Sequence, residues 1–256
     1  MGESSAPHGI DLRVVDNGDA IARSGATLVA QIAREAIDRR GICRIALAGG
    51  RTPQGVYERL ASGEHDGPEV DWARVVLFFG DERHVPPGHP DSNFRMASEA
   101  LVGRVPVPAS QVHRMRTEEE DAVAAAADYE RTLRASFGLA PGEWPRFDLV
   151  LLGMGRDGHT ASLFPHTPVL HEAEHLASAV WVPSLQTWRV TITLPVINHA
   201  RAIVVLAGGA EKAPALRAVL AGGADPGTYP LAGVRPVDGR MIWIVDAEAA
   251  GQGASA

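Results

Sequence analysis

The sequence is poor in three features, and each scarcity excludes a class of protein. Its 256 residues include one cysteine, Cys43, so no internal disulfide forms and a reducing compartment is expected. No apolar run approaches the roughly 18 residues of a membrane helix. Basic residues are outnumbered, because 24 Lys and Arg against 31 Asp and Glu give a net charge of -7. Binders of nucleic acid or of anionic membranes need a basic surface instead.

The N-terminal residues also lack the basic and apolar regions of a signal peptide. Together these absences predict a soluble cytoplasmic protein that binds neither nucleic acid nor membrane and shows no sign of an obligate protein partner. Lysine is almost missing as well, since Lys212 is the one lysine among the 24 basic residues. Its compact ammonium on a flexible stem differs from the planar fork of arginine, so Lys212 is a candidate for a specific contact.

Short apolar runs alternate with helical patterns along the chain. Helical spacing predicts helices over 21–39, about 53–62, 92–101 and 118–137, and from 211 onward; Gly41 ends the first, and Asp91 or Ser92 caps the third. Apolar runs predict strands at 43–48, 74–79, 147–152, 176–182, 189–194, 202–207 and 241–245. Such alternation is typical of βαβ units, so we expect an α/β fold with a mostly parallel sheet covered by helices. The neighbouring strands between 176 and 194 are expected to be antiparallel. The pattern predicts one domain over 1–246 and a disordered tail over 247–256.

Ligand sites of open α/β sheets lie outside the carboxyl ends of the strands. Four loops leave strands there, at 49–53, 80–91, 153–165 and 208–212, and they hold most of the glycine-rich and charged motifs. The search for a site therefore narrows to these loops.

Two familiar patterns are present but lack the context that their functions need. Residues 153–158 match G-x-G-x-x-G, yet they lie mid-chain, Pro165 interrupts the helix that should follow, and Asp157 would repel a pyrophosphate. Residues 171–175 read H-E-A-E-H, the zinc-protease pattern. The two histidines would need a nearby carboxylate as the third zinc ligand, and this is missing. A solvated helix with a chance match explains the second pattern. We therefore expect no cofactor and no metal.

Two glycine pairs open predicted helices and suit a phosphate. Gly49 and Gly50 precede Thr52, a possible N-cap that also offers a hydroxyl, and backbone N–H groups at a helix start favour anions. Lys212 follows the second pair in the same kind of setting. An ordinary strand-to-helix turn and a solvated lysine are the alternatives.

Charged residues at the other two loops suit catalysis. Asp81 and Arg83 follow an apolar strand and could orient water and sugar hydroxyls, although a surface ion pair would look the same. His159 lies in a glycine-flexed loop, and its ordinary pKa suits proton transfer near neutral pH. Asp157 could orient this histidine or the attacking water. A polar loop with a chance acid and base is the alternative.

Four stretches together resemble the glucosamine-6-phosphate isomerase/6-phosphogluconolactonase family. They are ALAGGRTPQGVYERLA (46–61), FFGDERHVPPGHPDSNFRMASEALV (78–102), FDLVLLGMGRDGHTASLFPHTP (147–168) and GGAEKAPAL (208–216). Their order and spacing match, and the likeness runs from about residue 10 to residue 246. Arg51 departs mildly from the family pattern, which more often has a small residue there.

The resemblance implies a three-layer α/β/α fold and a metal-free lactonase of the oxidative pentose phosphate pathway. Its substrate would be 6-phospho-D-glucono-1,5-lactone. His159 would be the general base that activates water, Asp157 would position the water or the sugar, and Asp81 would contact hydroxyls. The phosphate or its neighbourhood would be held by Gly49, Gly50, Thr52, Arg83 and Lys212.

Two other functions are compatible with the same loops. Deaminases of the family carry a glutamate five residues after the histidine, where it assists sugar ring opening. This sequence has Phe164 there, which transfers no proton, so the lactonase is favoured. A non-catalytic sugar-phosphate sensor is the second alternative, but such regulators usually carry an N-terminal DNA-binding segment.

Overall fold

Seven parallel strands form the centre of the molecule in a computed structural model, which describes residues 10–119 and 121–252. Within these residues the chain forms ten strands: β1 (Ile10–Val15), β2 (Cys43–Leu47), β3 (Val75–Phe79), β4 (Asp81–Arg83), β5 (Val112–His113), β6 (Leu149–Gly153), β7 (Ala177–Val182), β8 (Thr187–Ile192), β9 (Ala202–Ala207) and β10 (Arg240–Asp246). The large sheet has the order β1-β10-β9-β6-β2-β3-β5, and every neighbouring pair in it is parallel. The predicted α/β class is thereby confirmed.

The described residues also form six α-helices: α1 (Gly18–Arg40), α2 (Arg51–Ser62), α3 (Asn93–Ala97), α4 (Ala122–Phe137), α5 (Leu194–Asn198) and α6 (Ala213–Leu220). Gly41 ends α1 in the left-handed region, with φ 76°, and Ser92 caps α3, as predicted. The helix predicted from Glu118 begins four residues later, because the side chain of Asp121 caps it. Glu120 lies outside the described residues. None of the described helices has the length and apolarity to cross a membrane.

Alternate strand residues point to opposite faces of the sheet and build two separate cores. In β3, Val75, Leu77 and Phe79 pack with residues of α1 and α2, whereas Val76 and Phe78 pack with residues of α4. Helices therefore cover both faces, which confirms the three-layer arrangement.

A second, three-stranded sheet has the order β4-β8-β7 and is antiparallel. Its β7–β8 hairpin is the antiparallel pair expected between 176 and 194. The strand β4 lies inside the stretch 80–91 that was predicted to be a loop. Its Asp-Glu-Arg sequence gives no strand signal by itself, and pairing of Arg83 with Arg189 in β8 supplies the extended conformation instead.

Residues 247–252 lie in the tail that was predicted to be disordered, yet they form a turn against the sheet. Asp246 accepts a hydrogen bond from Ala249 N at 2.8 Å, Ala247 N donates to Val15 O at 2.9 Å, and Ala249 is buried. The folded part of the chain therefore extends past residue 246. The rest of the tail, 253–256, lies outside the described residues.

Candidate active site

A cavity of about 290 Å³ opens at the carboxyl ends of β2, β6 and β9, and the small sheet forms one of its walls. All four loops singled out in the sequence contribute to it. Of the eight predicted site residues, the cavity is lined by Gly49, Gly50, Thr52, Asp81, Arg83, His159 and Lys212. Asp157 does not line it and lies against His159 instead.

His159 and Asp157 form a hydrogen-bonded pair on the loop after β6. The distance from His159 Nδ1 to Asp157 Oδ1 is 2.6 Å, and the His159 backbone N–H donates to the same oxygen at 3.2 Å. Burial opposes ionisation of Asp157, but the hydrogen bond and charge of His159 outweigh it and lower the pKa of Asp157 to about 2. The ionised carboxylate accepts a hydrogen bond from the Nδ1–H group, so Nε2 is the ring nitrogen left for a substrate.

The loop that carries this pair does not lead into a helix. After Gly153 it turns, forms a single bridge between Thr160 and Leu163, and reaches a short 3-10 turn at Pro168–His171. The G-x-G-x-x-G match therefore lacks the helix that a dinucleotide site needs. The H-E-A-E-H stretch is also not a helix, which corrects the expectation of a solvated one. Glu172 accepts hydrogen bonds from the backbone N–H groups of Glu174 and His175, and this favours a tight turn.

Arg189 is a site residue that the sequence analysis missed. It stands opposite Arg83 in the β4–β8 pair, and both line the cavity. The Nε atom of each is buried without a hydrogen-bond partner, and neither arginine forms an ion pair with a carboxylate in the described part of the chain. Burial, and then the charge of Arg83, lower the pKa of Arg189. Two guanidinium groups held side by side at the cavity favour the binding of an anion. The sequence signal that could have identified Arg189 is its position as the one charged residue in the predicted strand 189–194.

The glycine pair after β2 differs from its prediction in one detail. Thr52 is not the N-cap, because α2 begins at Arg51 and is preceded by Gly50, which has φ 100°. Arg51 and Thr52 thus occupy the first turn, whose backbone N–H groups have no partner within the helix. Both residues line the cavity. The positive end of α2 therefore faces the cavity, as the phosphate hypothesis requires.

The second glycine pair is occupied by an internal contact. Gly209 N donates to both carboxylate oxygens of Asp246, at 3.1 and 3.0 Å. A 3-10 turn, Ala210–Lys212, follows, and α6 begins after it rather than at Glu211. The ammonium of Lys212 lies 3.8 Å from a Glu211 carboxylate oxygen and also lines the cavity. This loop therefore offers the charge of Lys212 rather than the N–H of Gly209.

Asp81 is buried and is fixed by one neighbour from the loop after β6 and by one from the start of α3. Its Oδ2 accepts a hydrogen bond from Ser162 Oγ at 2.7 Å, and its Oδ1 accepts one from Asn93 Nδ2 at 3.2 Å. The side chain of Asn93 lies close to Gly49, where a Cβ atom would be 2.0 Å from Asn93 Oδ1. Asp81 thus links the loop after β6 to the start of α3, and Asn93 lies against the loop after β2.

Glu82 points away from the cavity and supports it from behind. Its side chain is 1% exposed and accepts hydrogen bonds from the backbone N–H groups of Arg83, Asn93 and Phe94 at 2.7–2.8 Å, and from Ser92 Oγ at 2.9 Å. Burial raises the pKa of Glu82, and these hydrogen bonds oppose the shift. The carboxylate therefore fastens β4 to the start of α3. Asp91, the other candidate cap of α3, is exposed, and Ser92 caps the helix instead.

Comparison with known proteins places this geometry in a family. The model of the family described as glucosamine-6-phosphate isomerases/6-phosphogluconolactonase matches residues 16–243. The chain belongs to this family.

Two curated relatives and one solved structure of similar fold are named for the same activity. The 6-phosphogluconolactonase of a Synechocystis species is 44% identical over 215 residues, which cover 84% of this chain and 86% of that protein. The 6-phosphogluconolactonase of a Nostoc species is 42% identical over 214 residues, with the same coverage of 84% and 86%. A solved structure of 6-phosphogluconolactonase from Thermotoga maritima is 29% identical, has a TM-score of 0.79, and covers 93% of this chain and 99% of its own.

Proposed function

We propose that the protein hydrolyses 6-phospho-D-glucono-1,5-lactone to 6-phospho-D-gluconate, a step of the oxidative pentose phosphate pathway. The observation that carries the proposal is the Asp157–His159 pair beside a cavity that also holds Arg83, Arg189 and Lys212. A base and an anion site then act on one substrate. Relatives that are named for this activity support the same choice of substrate.

His159 acts as the general base through Nε2. It takes a proton from water while the water oxygen bonds to the lactone carbonyl carbon, and the former carbonyl oxygen becomes an oxyanion. When this intermediate collapses, the bond between that carbon and the ring oxygen breaks, and His159 returns its proton to the ring oxygen. The open-chain acid then ionises. Asp157 stabilises the protonated imidazole between the two steps, and general-base help of this kind contributes about 10²–10⁴-fold.

The 6-phosphate occupies the cationic end of the cavity. Arg83 and Arg189 supply two positive charges, neither of them ion-paired with a carboxylate among the described residues, and Lys212, 3.8 Å from Glu211, supplies a third. The first backbone N–H groups of α2, at Arg51 and Thr52 beside Gly49 and Gly50, add donors at a positive helix end. These contacts hold the lactone in position next to the base, and such positioning increases the rate of the reaction.

Asp81 contacts sugar hydroxyls in this proposal. Each of its oxygens has one protein donor, and a carboxylate oxygen accepts more than one hydrogen bond, so capacity remains for a substrate. The reaction as written needs no metal and no cofactor. The cytoplasmic location expected from the sequence is part of the same proposal.

The test is hydrolysis of the lactone, formed in situ, against its spontaneous rate, with and without a chelator. We expect acceleration that the chelator leaves unchanged. Replacing His159 with alanine should lower kcat by about 10²-fold or more in a protein that stays folded. His171→Ala is the matched control, because His171 is exposed and does not line the cavity.

No acceleration by the native protein would refute the lactonase. Glucosamine-6-phosphate would then be the next substrate to test, followed by binding of sugar phosphates without turnover. Normal turnover by the His159→Ala variant would remove His159 from the role of base.

A further inference from the structure

The ring of His159 is confined by three different neighbours. Phe164 lies over the imidazole, with ring centroids 4.2 Å apart and an angle of 27° between the planes. Asp157 holds Nδ1 by the hydrogen bond at 2.6 Å. The backbone of Gly155 lies so close that a Cβ atom there would be 2.1 Å from Nδ1 and 2.3 Å from Cε1 of His159. Gly155 N also donates to His159 O at 2.8 Å, which closes the loop under the ring.

Such confinement matters because an imidazole has two nitrogen atoms. Rotation of the ring by half a turn about the Cβ–Cγ bond would exchange Nδ1 with Cδ2 and Nε2 with Cε1. Nδ1 would then lose Asp157, and Nε2 would leave its present position at the cavity. The hydrogen bond with Asp157 favours one orientation, but both partners are partly solvent-exposed, with side chains 30% and 43% exposed. Water competes for such a hydrogen bond, whereas it cannot replace the packing of Phe164 and Gly155 against the imidazole. We therefore expect this packing to contribute to the orientation of the ring.

We propose that Phe164 is a positioning residue for the base, and that Gly155 is required because any side chain there would displace the ring. Both residues form a slot, defined as Gly155 and Phe164 around His159, that keeps Nε2 directed at the cavity. The proposal rests on the function proposed above only in its kinetic part. Phe164 itself is 7% exposed and does not line the cavity, so it acts through His159 and not on the substrate.

A purely structural role for Phe164 is the competing explanation, since it also packs in the core that contains residues of α4. Phe137 offers a matched comparison. It is a partly buried phenylalanine at the end of α4, it packs on Phe78 and Phe147 with ring centroids 5.5 and 4.9 Å apart, and it does not line the cavity. Phe164→Leu and Phe137→Leu both remove an aromatic contact, but only the first removes one from His159.

Kinetics on the lactone give the first measurement. Phe164→Leu should lower kcat by up to about tenfold, which is the range of one aromatic pair interaction, while KM changes less than about twofold. Phe137→Leu should lower the melting temperature and leave kcat unchanged. A Phe164→Leu protein that is less stable but has native kcat would overturn the proposal in favour of core packing.

Nitrogen NMR of the histidine rings gives the second measurement, and it needs no substrate. His159 is assigned by the loss of its signals in the His159→Ala variant. In the native protein we expect one tautomer with the proton on Nδ1, and in Phe164→Leu a mixture of tautomers. A native protein without lactonase activity would refute the proposed function, while the ring signals would still decide about the slot.

Gly155→Ala is a second variant that does not depend on the packing of Phe164. Because its Cβ atom would overlap the imidazole, kcat should fall by about 10²-fold, as for loss of a general base. Gly18→Ala is the control, since a Cβ atom at Gly18 meets nothing within 4 Å. Native kcat together with a native Nδ1–H signal in Gly155→Ala would overturn the slot.

Discussion

Replacing Ser162 with alanine removes one hydrogen bond that links two walls of the cavity. Ser162 Oγ donates to Asp81 Oδ2 at 2.7 Å, and both residues are buried. Ser162 belongs to the loop that carries His159, whereas Asp81 belongs to the strand that carries Arg83. In the described residues the other side-chain donor to this carboxylate is Asn93, on Oδ1. The variant therefore leaves Oδ2 without a side-chain partner.

The size of the effect follows from the charge and burial of the acceptor. A hydrogen bond to a charged group contributes about 1.5–3 kcal/mol to stability. In domains of 150–250 residues, 1 kcal/mol shifts the melting temperature by about 2–4 °C. Ser162→Ala should therefore lower it by about 3–12 °C. The value of kcat/KM should fall as well, because the placement of His159 relative to Arg83 depends on this link.

Ser98 provides the matched control for a thermal denaturation series. Its Oγ is also inaccessible to solvent, but it has no hydrogen-bond partner. Ser98→Ala removes an unsatisfied hydroxyl from a helical turn, so the melting temperature should stay the same or rise. Equal losses in the two variants would refute the reasoning, because the hydrogen bond to Asp81 would then not be the source of the stability.

Three further variants test other parts of the site. With a pKa of about 2, Asp157 stays ionised above about pH 4. Asp157→Asn should lower kcat by about 10–10²-fold, because an amide does not stabilise the imidazolium that forms when His159 takes the proton from water, and native kcat would contradict the pairing. Glu82→Gln should lower the free energy of unfolding, measured by urea denaturation, by about 1–3 kcal/mol, because the amide NH₂ would face the Phe94 N–H. Unchanged stability would show that this N–H finds another acceptor. Lys212→Ala should raise KM with little change in kcat, as for loss of uniform binding, and native KM would remove Lys212 from the phosphate site.

The large sheet could be predicted from the sequence because its determinants are local. Runs such as 202–207 are wholly apolar, and helix ends carry their own signals, as Gly41 and Ser92 show. The strand β4 has no such signal. Its conformation depends on Arg189, more than a hundred residues away, and no local pattern reports a partner at that distance.

The site shows the same division between local and distant causes. His159 and Asp157 are two residues apart, so their pairing could be predicted from the motif alone. The position of Arg189 at the cavity could not be predicted in this way, because it depends on the pairing of β8 with β4. Neighbouring residues of a strand point to opposite sides, so of the two acids in β4 Asp81 lines the cavity and Glu82 does not.

The two glycine pairs show that the same sequence pattern can have different structural roles. The pairs at 49–50 and 208–209 look alike in sequence, and both were predicted to hold phosphate. At the first pair, Gly49 is needed because Asn93 occupies the space of a Cβ atom, while Gly50 takes the positive φ that opens α2 toward the cavity.

At the second pair, Asp246 takes the N–H of Gly209, and its Oδ2 lies 2.8 Å from the Cβ position of Gly208. The glycines there make room for a carboxylate of the protein, not for the phosphate of the substrate. A phosphate that approaches this loop meets the ammonium of Lys212 but not the amide of Gly209. The two loops are therefore not equivalent: the first offers helix N–H groups, whereas the second offers the charge of Lys212 in a loop whose Gly209 amide is bound by Asp246.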